Sequence, residues 1–161
     1  MTFGGERLSE NVDQKNDGTN DKVNPQGKAD KEKGDKGKPK FDWVTERSSC
    51  SLPKVFAELR AQVEQDVKTR NGLRPNNSPY EFSVAVKGED FTVILTAKDL
   101  QRSVTFNLAE HAIVVTEDNG EEMFHVTVTF SDDGKCKLYV NEQERDFWQV
   151  RRKALEELMF Q

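Results

Sequence analysis

Cys136 is the residue whose neighbours come closest to a catalytic motif, because it stands between Lys135 and Lys137. Neighbouring cations lower the pKa of a thiol, and the resulting thiolate is the reactive nucleophile. Paired with His111 or His125 as a base, such a thiolate would begin covalent catalysis. A cysteine nucleophile is therefore the catalytic chemistry to weigh against the rest of the sequence.

The residues around Cys136 favour a structural role instead. Cys136, Leu138 and Val140 occupy every second position, which places them on one side of a strand and both flanking lysines on the other. A cysteine that faces the core behaves as a small hydrophobic residue. We therefore predict that Cys136 is buried and unreactive. Cys50 should be more exposed, and it has no identifiable base.

Other catalytic and metal-binding motifs are missing from the sequence. It contains no Gly-rich phosphate loop, no G-x-S-x-G, no H-E-x-x-H and no C-x-x-C. The two histidines are too isolated to form a metal site, and the acidic residues 117–122 read as a hairpin turn because they lack the spaced oxygen ligands of a calcium loop. We predict that the protein is not an enzyme and uses neither a metal nor a cofactor.

Apolar periodicity predicts two helices that help to position these residues. In residues 51–73 the apolar side chains recur every three or four positions, as on one face of a helix. The same spacing recurs near the end of the chain, and an N-x-x-E pattern at Asn141 and Glu144 predicts where that second helix starts. Its apolar stripe is formed by Phe147, Trp148, Val150, Ala154, Leu155, Leu158 and Met159.

Between the helices the apolar period changes to two, which predicts strands. Six strands are expected, at residues 80–86, 91–95, 104–108, 113–116, 124–130 and 136–140, with tight turns between them. Six strands span roughly 25 Å, and two helices of about 10 Å each nearly cover one face. The predicted fold is therefore a two-layer α+β domain: a six-stranded antiparallel meander with an N-terminal and a C-terminal helix on one face. "FDWV", residues 41–44, either adds an edge strand or clamps the first helix.

Residues 1–40 differ in composition from the rest of the chain. They hold nine basic and eight acidic residues but few apolar ones, whereas residues 41–161 hold 15 basic and 21 acidic residues, a net charge of −6. A segment so poor in apolar side chains cannot offset the entropy of ordering its backbone. We predict a disordered polar tail at residues 1–40 and a single domain at residues 41–161.

Charge and hydropathy bear on partners and location. The basic residues of the tail alternate with acidic ones, so they favour a solubilising spacer over a nucleic-acid arm. The acidic body argues against a membrane surface, and no apolar run approaches the roughly 18 residues of a membrane span. The N-terminus lacks the apolar core of a secretory signal. We therefore expect a cytoplasmic protein whose two cysteines are free thiols.

The polar face of the predicted sheet is the main candidate for a binding surface. Its strands alternate, so one face should be covered by the helices and the other should be rich in hydroxyl groups. This open face is either simply hydrated or holds a partner strand, a polar ligand or a second copy of the domain. The candidate residues on it are Thr92, Thr105, His125, Thr127, Thr129, Lys137 and Tyr139.

These observations favour a non-catalytic protein-interaction or adaptor domain with the tail as a flexible tether. Its partner would be a protein, either a different one or a second copy that forms a homodimer through the open face. The alternative is a small apolar-ligand-binding protein with a pocket between the helices and the sheet. The aromatic residues that would line it are Phe56, Phe82, Phe106, Phe124, Phe130, Phe147 and Trp148. The same aromatic residues are needed as core, so the pocket and the core compete for them.

Overall fold

A computed structural model describes Gly37 and residues 39–161 of the chain, and Pro39–Gln161 form one compact unit. The predicted disordered tail, residues 1–40, lies outside the described residues except for Gly37, Pro39 and Lys40. Within the described part, no helix is both long enough and apolar enough to cross a membrane.

The described residues form three helices and a seven-stranded antiparallel sheet. The elements in chain order are α1 (Trp43–Ser49), α2 (Leu52–Gly72), β1 (Tyr80–Lys87), β2 (Asp90–Ala97), β3 (Leu100–Leu108), β4 (Ile113–Glu117), β5 (Glu122–Phe130), β6 (Cys136–Val140), β7 (Gln143–Arg145) and α3 (Phe147–Phe160). Each strand pairs with the next one along the chain, so the sheet order is β1 to β7. The predicted α+β meander between two long helices is confirmed.

The hydrophobic core lies between the long helices and one face of the sheet. Buried side chains occupy alternate positions of the strands, as at Phe91, Val93 and Leu95 in β2. The apolar stripes of α2 and α3 belong to the same buried cluster as these strand residues. Because successive side chains in a strand point to opposite faces, the other face of the sheet is left open to solvent.

β7 is the strand that the sequence did not predict. Asn141 and Glu142 both have positive φ, 49° and 65°, and Val140 pairs with Gln143 across them. Two successive residues at positive φ form the two-residue hairpin turn that suits the twist of a sheet. Asn favours such turns as well as helix caps, so the predicted cap at Asn141 was wrong and the chain makes one more strand there.

α3 begins after this hairpin, with Asp146 as the N-cap residue. The backbone N–H of Asp146 donates a hydrogen bond to Gln149 Oε1 at 2.8 Å. This contact satisfies a backbone donor at the start of the helix. The helix therefore starts later than the sequence pattern predicted.

The segment "FDWV" does not form the predicted edge strand, since it enters the short helix α1. Asp42 caps this helix by accepting hydrogen bonds from the backbone N–H of Val44 at 3.1 Å and from Thr45 Oγ1 at 2.6 Å. The ring of Phe41 lies against Gly134, where a Cβ atom would fall 2.5 Å from Phe41 Cζ. Gly134 also has a φ of 77°, so the β5–β6 turn needs glycine for two reasons.

The two cysteines form a disulfide, which corrects the prediction of free thiols. Cys50 and Cys136 are joined with their Cα atoms 5.3 Å apart, within the usual range for a disulfide, although 86 residues separate them in sequence. Cys50 is buried and Cys136 is exposed, the reverse of the expected order. The link joins the end of α1 to the start of β6, a proximity that no local sequence pattern indicates.

Candidate functional site

The seven predicted surface residues lie on β2, β3, β5 and β6, at positions that alternate with the buried side chains. They are half-buried or exposed. The structure brings them together as two groups on either side of β4. One group is Thr92 and Thr105, and the other comprises His125, Thr127, Thr129, Lys137 and Tyr139.

Thr92 and Thr105 are directly opposite each other on β2 and β3. Their Oγ1 atoms are 2.9 Å apart, so one hydroxyl donates a hydrogen bond to the other. Further along the same strands, Asn107 Nδ2 donates to Asp90 Oδ1 at 2.6 Å. These polar groups therefore stabilise the pairing of the two strands.

The second group lies across β5 and β6, where Thr127 faces Tyr139 and Thr129 faces Lys137. The Lys137 ammonium group donates to Glu144 Oε2 at 3.3 Å and lies 3.4 Å from Asp133 Oδ2. These hydrogen bonds, the one to Glu144 first, raise the pKa of Lys137. The charge of Lys137 is therefore held between two carboxylates of the same chain.

His125 is exposed at the side of this second group. Its Nδ1 atom lies 2.9 Å from Glu122 Oε1, and its cross-strand partner on β4 is Val114. The sulfur of Cys136, the predicted partner of this histidine in catalysis, is bonded to Cys50. Cys136 therefore has no free thiol to act as a nucleophile while the disulfide is intact. Within residues 39–161, no group of three or more His, Cys, Asp and Glu side chains could hold a metal ion.

Most of the aromatic residues that would line an internal ligand pocket are packed as core. Phe56, Phe82, Phe106 and Phe124 are buried, whereas Phe130 and Phe147 are half-buried and Trp148 is exposed. Phe106 stacks on Phe91 with ring centroids 4.6 Å apart. Ring contacts at this distance fill the space between the helices and the sheet.

Four side chains on the outside of α3 form a single exposed row. Trp148, Arg152, Glu156 and Phe160 follow at intervals of four residues, the spacing that aligns side chains in a ridge along a helix. Trp148 is 53% exposed and Phe160 is 70% exposed. Between them, Arg152 Nη2 lies 3.0 Å from Glu156 Oε1. We call these four residues the outer ridge.

An open groove of about 340 Å³ runs beside the outer ridge, between α3 and the second half of α2. Its lining includes the buried residues Leu155 and Met159 and the strongly exposed Leu73. The surface that lines this groove is mostly apolar.

Polar contacts between the helices fix the walls of this groove. Arg151 Nε lies 2.6 Å from Asp66 Oδ2, and the same guanidinium group contacts Gln62. Arg70 Nε donates to the carbonyl oxygen of Met159 at 2.9 Å, which satisfies a free carbonyl in the last turn of α3. The relative position of α2 and α3 is therefore set by the fold before any ligand or partner binds.

The sequence prediction missed this site because it assigned Trp148 to the apolar stripe of the C-terminal helix. The signal that identifies the ridge is helical phase. Trp148 is four residues before Arg152 and eight before Glu156, so it shares their side of the helix and not the side of Val150 and Ala154.

Two other surface features are weaker candidates. A depression of about 440 Å³ beside the first half of α2 is bordered by Arg60 and Glu64, which form an ion pair at 2.9 Å. Phe41, Trp43 and Val44 are also exposed. They directly follow the part of the chain that the structure does not describe, so their exposure carries no argument about a binding site.

Comparison with known proteins provides no relative from which a function can be transferred. No family model matches the chain, and no curated protein or solved structure is similar to it. A functional assignment must therefore rest on the contacts, exposure and charges of this chain alone.

Proposed function

We propose that this protein is a non-catalytic protein-interaction domain that binds through the outer ridge and the groove beside it. The observation that carries this proposal is the exposure of Trp148 and Phe160 at the two ends of one helical ridge, with the exposed Leu73 in the adjoining groove. Apolar side chains of this size gain free energy when a partner removes them from water. Tryptophan is also among the residues that contribute most to protein–protein interfaces.

The groove supports the proposal because it is already formed. Its walls are held by the Arg151–Asp66 and Arg70–Met159 contacts, so binding does not have to order them. A preformed surface keeps more of its contact energy as affinity, since less is lost in ordering side chains. In this function the polar residues 1–40 would act as a tether between the domain and another body.

The open face of the sheet stays a predicted alternative surface for the same function. Its residues Thr127, Thr129 and Tyr139 are accessible, and a hydroxyl-rich face can accept a polar partner. We favour the outer ridge because the described open-face contacts at Thr92, Thr105 and Lys137 are made within the chain.

A small apolar ligand is the second candidate, and the volume of the groove favours it. Sites for small molecules occupy about 300–1,000 Å³, and this groove of about 340 Å³ falls within that range. The site would then lie on the outer side of α2 and α3. A bound ligand would raise the melting temperature of the wild-type protein, and Trp148→Ala should remove that rise.

We further propose that the protein functions in an oxidising compartment and not in the cytoplasm. The cytoplasmic expectation implied free thiols, whereas Cys50 and Cys136 are paired. Disulfides form and persist mainly outside the reducing cytosol. Rapid alkylation of the protein in its native cells should leave both cysteines unmodified, and modification of both would contradict this location.

Affinity capture with matched variants tests the proposed function. The full chain, Trp148→Ala and Tyr139→Ala would be immobilised and exposed to the same native extract, and the retained proteins quantified. We expect the full chain and Tyr139→Ala to retain the same protein, and Trp148→Ala to lose it. Equal retention by the full chain and Trp148→Ala would contradict binding at the outer ridge. Loss with Tyr139→Ala alone would move the site to the open face.

A further inference from the structure

The outer ridge has an internal symmetry that indicates what it binds. Along α3 its order is apolar, basic, acidic, apolar, and its midpoint lies at the level of Ala154, whose own side chain is buried on the opposite side of the helix. Trp148 and Phe160 each lie six residues from Ala154, and Arg152 and Glu156 each lie two residues from it. When the ridge is turned end to end, aromatic positions fall on aromatic positions and each charge falls on the opposite charge.

We propose that the outer ridge binds the same ridge of a second copy of this chain, with the two α3 helices antiparallel across a twofold axis that passes between Arg152 and Glu156 on the exposed side of the helix. This inference rests on the proposed function and names its partner. In a twofold interface each contact occurs twice, because the same surface is used by both copies. Trp148 of each copy lies beside Phe160 of the other, and Arg152 beside Glu156.

The charges at the centre of this interface would form a closed group of four. Within one chain Arg152 already lies 3.0 Å from Glu156. In the antiparallel pair each of these residues also faces its opposite in the second copy, so positive and negative charges alternate around the axis. A parallel arrangement would instead place like charges together, which costs free energy.

The ridge also has a suitable geometry for helix packing. Side chains four residues apart form the ridges that interdigitate in the commonest class of helix pairs, which cross at about −50°. From Trp148 to Phe160 the helix rises about 18 Å, a little over three turns. The aromatic side chains at both ends would exclude water from the central charges, an arrangement that strengthens charge–charge attraction.

A second copy explains the whole row better than an unrelated partner does. A helix from another protein could cover Trp148 and Phe160, but its charges would need to occur in the reverse order to match Arg152 and Glu156. The same ridge meets this requirement through its own sequence. Leu73, in the groove next to Phe160, would extend the apolar contact made by Trp148 of the second copy.

Charge reversal with remixing tests this inference in the full-length protein. Sedimentation equilibrium would be measured for the wild type, for Arg152→Glu, for Glu156→Arg and for an equimolar mixture of these two variants. We expect the wild type to dimerise and each variant alone to associate about tenfold more weakly or worse, since attraction becomes repulsion at two symmetric positions. In the mixture all facing charges are again opposite, so heterodimers should form with at least wild-type affinity.

The double variant Arg152→Glu/Glu156→Arg is the matched control, because it keeps both charges and reverses both; it should dimerise like the wild type. Rescue by mixing also separates a lost interface from a folding defect, since mixing cannot refold either chain. A wild type that stays monomeric throughout, single variants that dimerise normally, or a mixture that fails to recover would each overturn the inference. If the wild type is monomeric while capture of another protein still requires Trp148, the proposed function stands and only the second copy is excluded.

Discussion

The open face of the sheet and the outer ridge of α3 both meet solvent, but their side chains are engaged differently. On the open face, Thr92 bonds to Thr105, and Lys137 is held by Glu144 and Asp133. On the ridge, two large aromatic side chains project into water at either end of an exposed ion pair. Several open-face side chains make hydrogen bonds and ion pairs within the chain, whereas the aromatic side chains of the ridge are mostly exposed to solvent.

This difference separates two effects that a substitution can have. A change on the open face should alter stability more than binding, because it removes contacts made within the chain. A change on the ridge should alter binding more than stability, because more than half of each aromatic side chain is exposed and can be buried by a partner. The comparison can therefore be tested by measuring the free energy of unfolding and the association constant for the same set of variants.

Among substitutions outside the hydrophobic core, removal of the disulfide should have the largest effect on stability. The double variant Cys50→Ser/Cys136→Ser loses a cross-link between residues 86 positions apart that anchors β6, a strand of the open face. We expect the free energy of unfolding to fall by about 2–4 kcal/mol, because the unfolded chain gains conformational freedom. Urea denaturation of the variant and of the oxidised wild type would measure the loss. Under conditions where this variant is folded, it should still dimerise as the wild type does. If the folded variant does not dimerise, binding at the outer ridge depends on the anchoring of β6.

Thr92→Val should have an intermediate effect. It removes the hydrogen bond between Thr92 and Thr105 while keeping the shape of the side chain. The free energy of unfolding should therefore fall by about 1 kcal/mol. Chemical denaturation would measure this, with Thr96→Val on the same strand as the control at a position without a described side-chain bond. Association should match the wild type. Weaker association without a loss of stability would place the binding surface on the open face.

Phe160→Ala should have the smallest effect on stability. Because Phe160 is 70% exposed, the free energy of unfolding should change by no more than about 0.5 kcal/mol. The same variant should weaken association by about tenfold or more, since it removes two symmetric aromatic contacts. Phe124→Ala is the buried control and should cost about 3–5 kcal/mol. A large stability loss at Phe160 would show that the ridge belongs to the core.

Much of the fold could be predicted from the sequence because its main helices and strands have characteristic spacings of apolar residues. The apolar stripe of α2 and the alternation of six strands each repeat often enough to identify the element. β7 was missed because Asn141 suits both a helix cap and a tight turn, and the structure decides between them by the positive φ of Glu142. Cys50 and Cys136 meet only through the tertiary fold, so no local pattern could pair them.

The candidate site could be predicted only in part. The open-face residues were placed correctly on strands because alternation determines which side each one occupies. Whether their hydroxyl groups are free depends on strand register, which pairs Thr92 with Thr105 and lies beyond the reach of single-strand patterns. The ridge was overlooked because composition marks Trp148 as core, whereas its helical phase places it with Arg152 and Glu156.

The most direct test of the central claim is the solvent exposure of Trp148 as the protein associates. The chain has two tryptophans, so Trp43→Phe leaves Trp148 as the only one, and Trp148→Phe leaves Trp43 as a matched control. Acrylamide quenching would be measured for both variants over a range of protein concentrations. We predict that quenching of Trp148 falls as concentration rises, while quenching of Trp43 stays constant. Quenching of Trp148 that does not change while the protein dimerises would show that the outer ridge is not the interface.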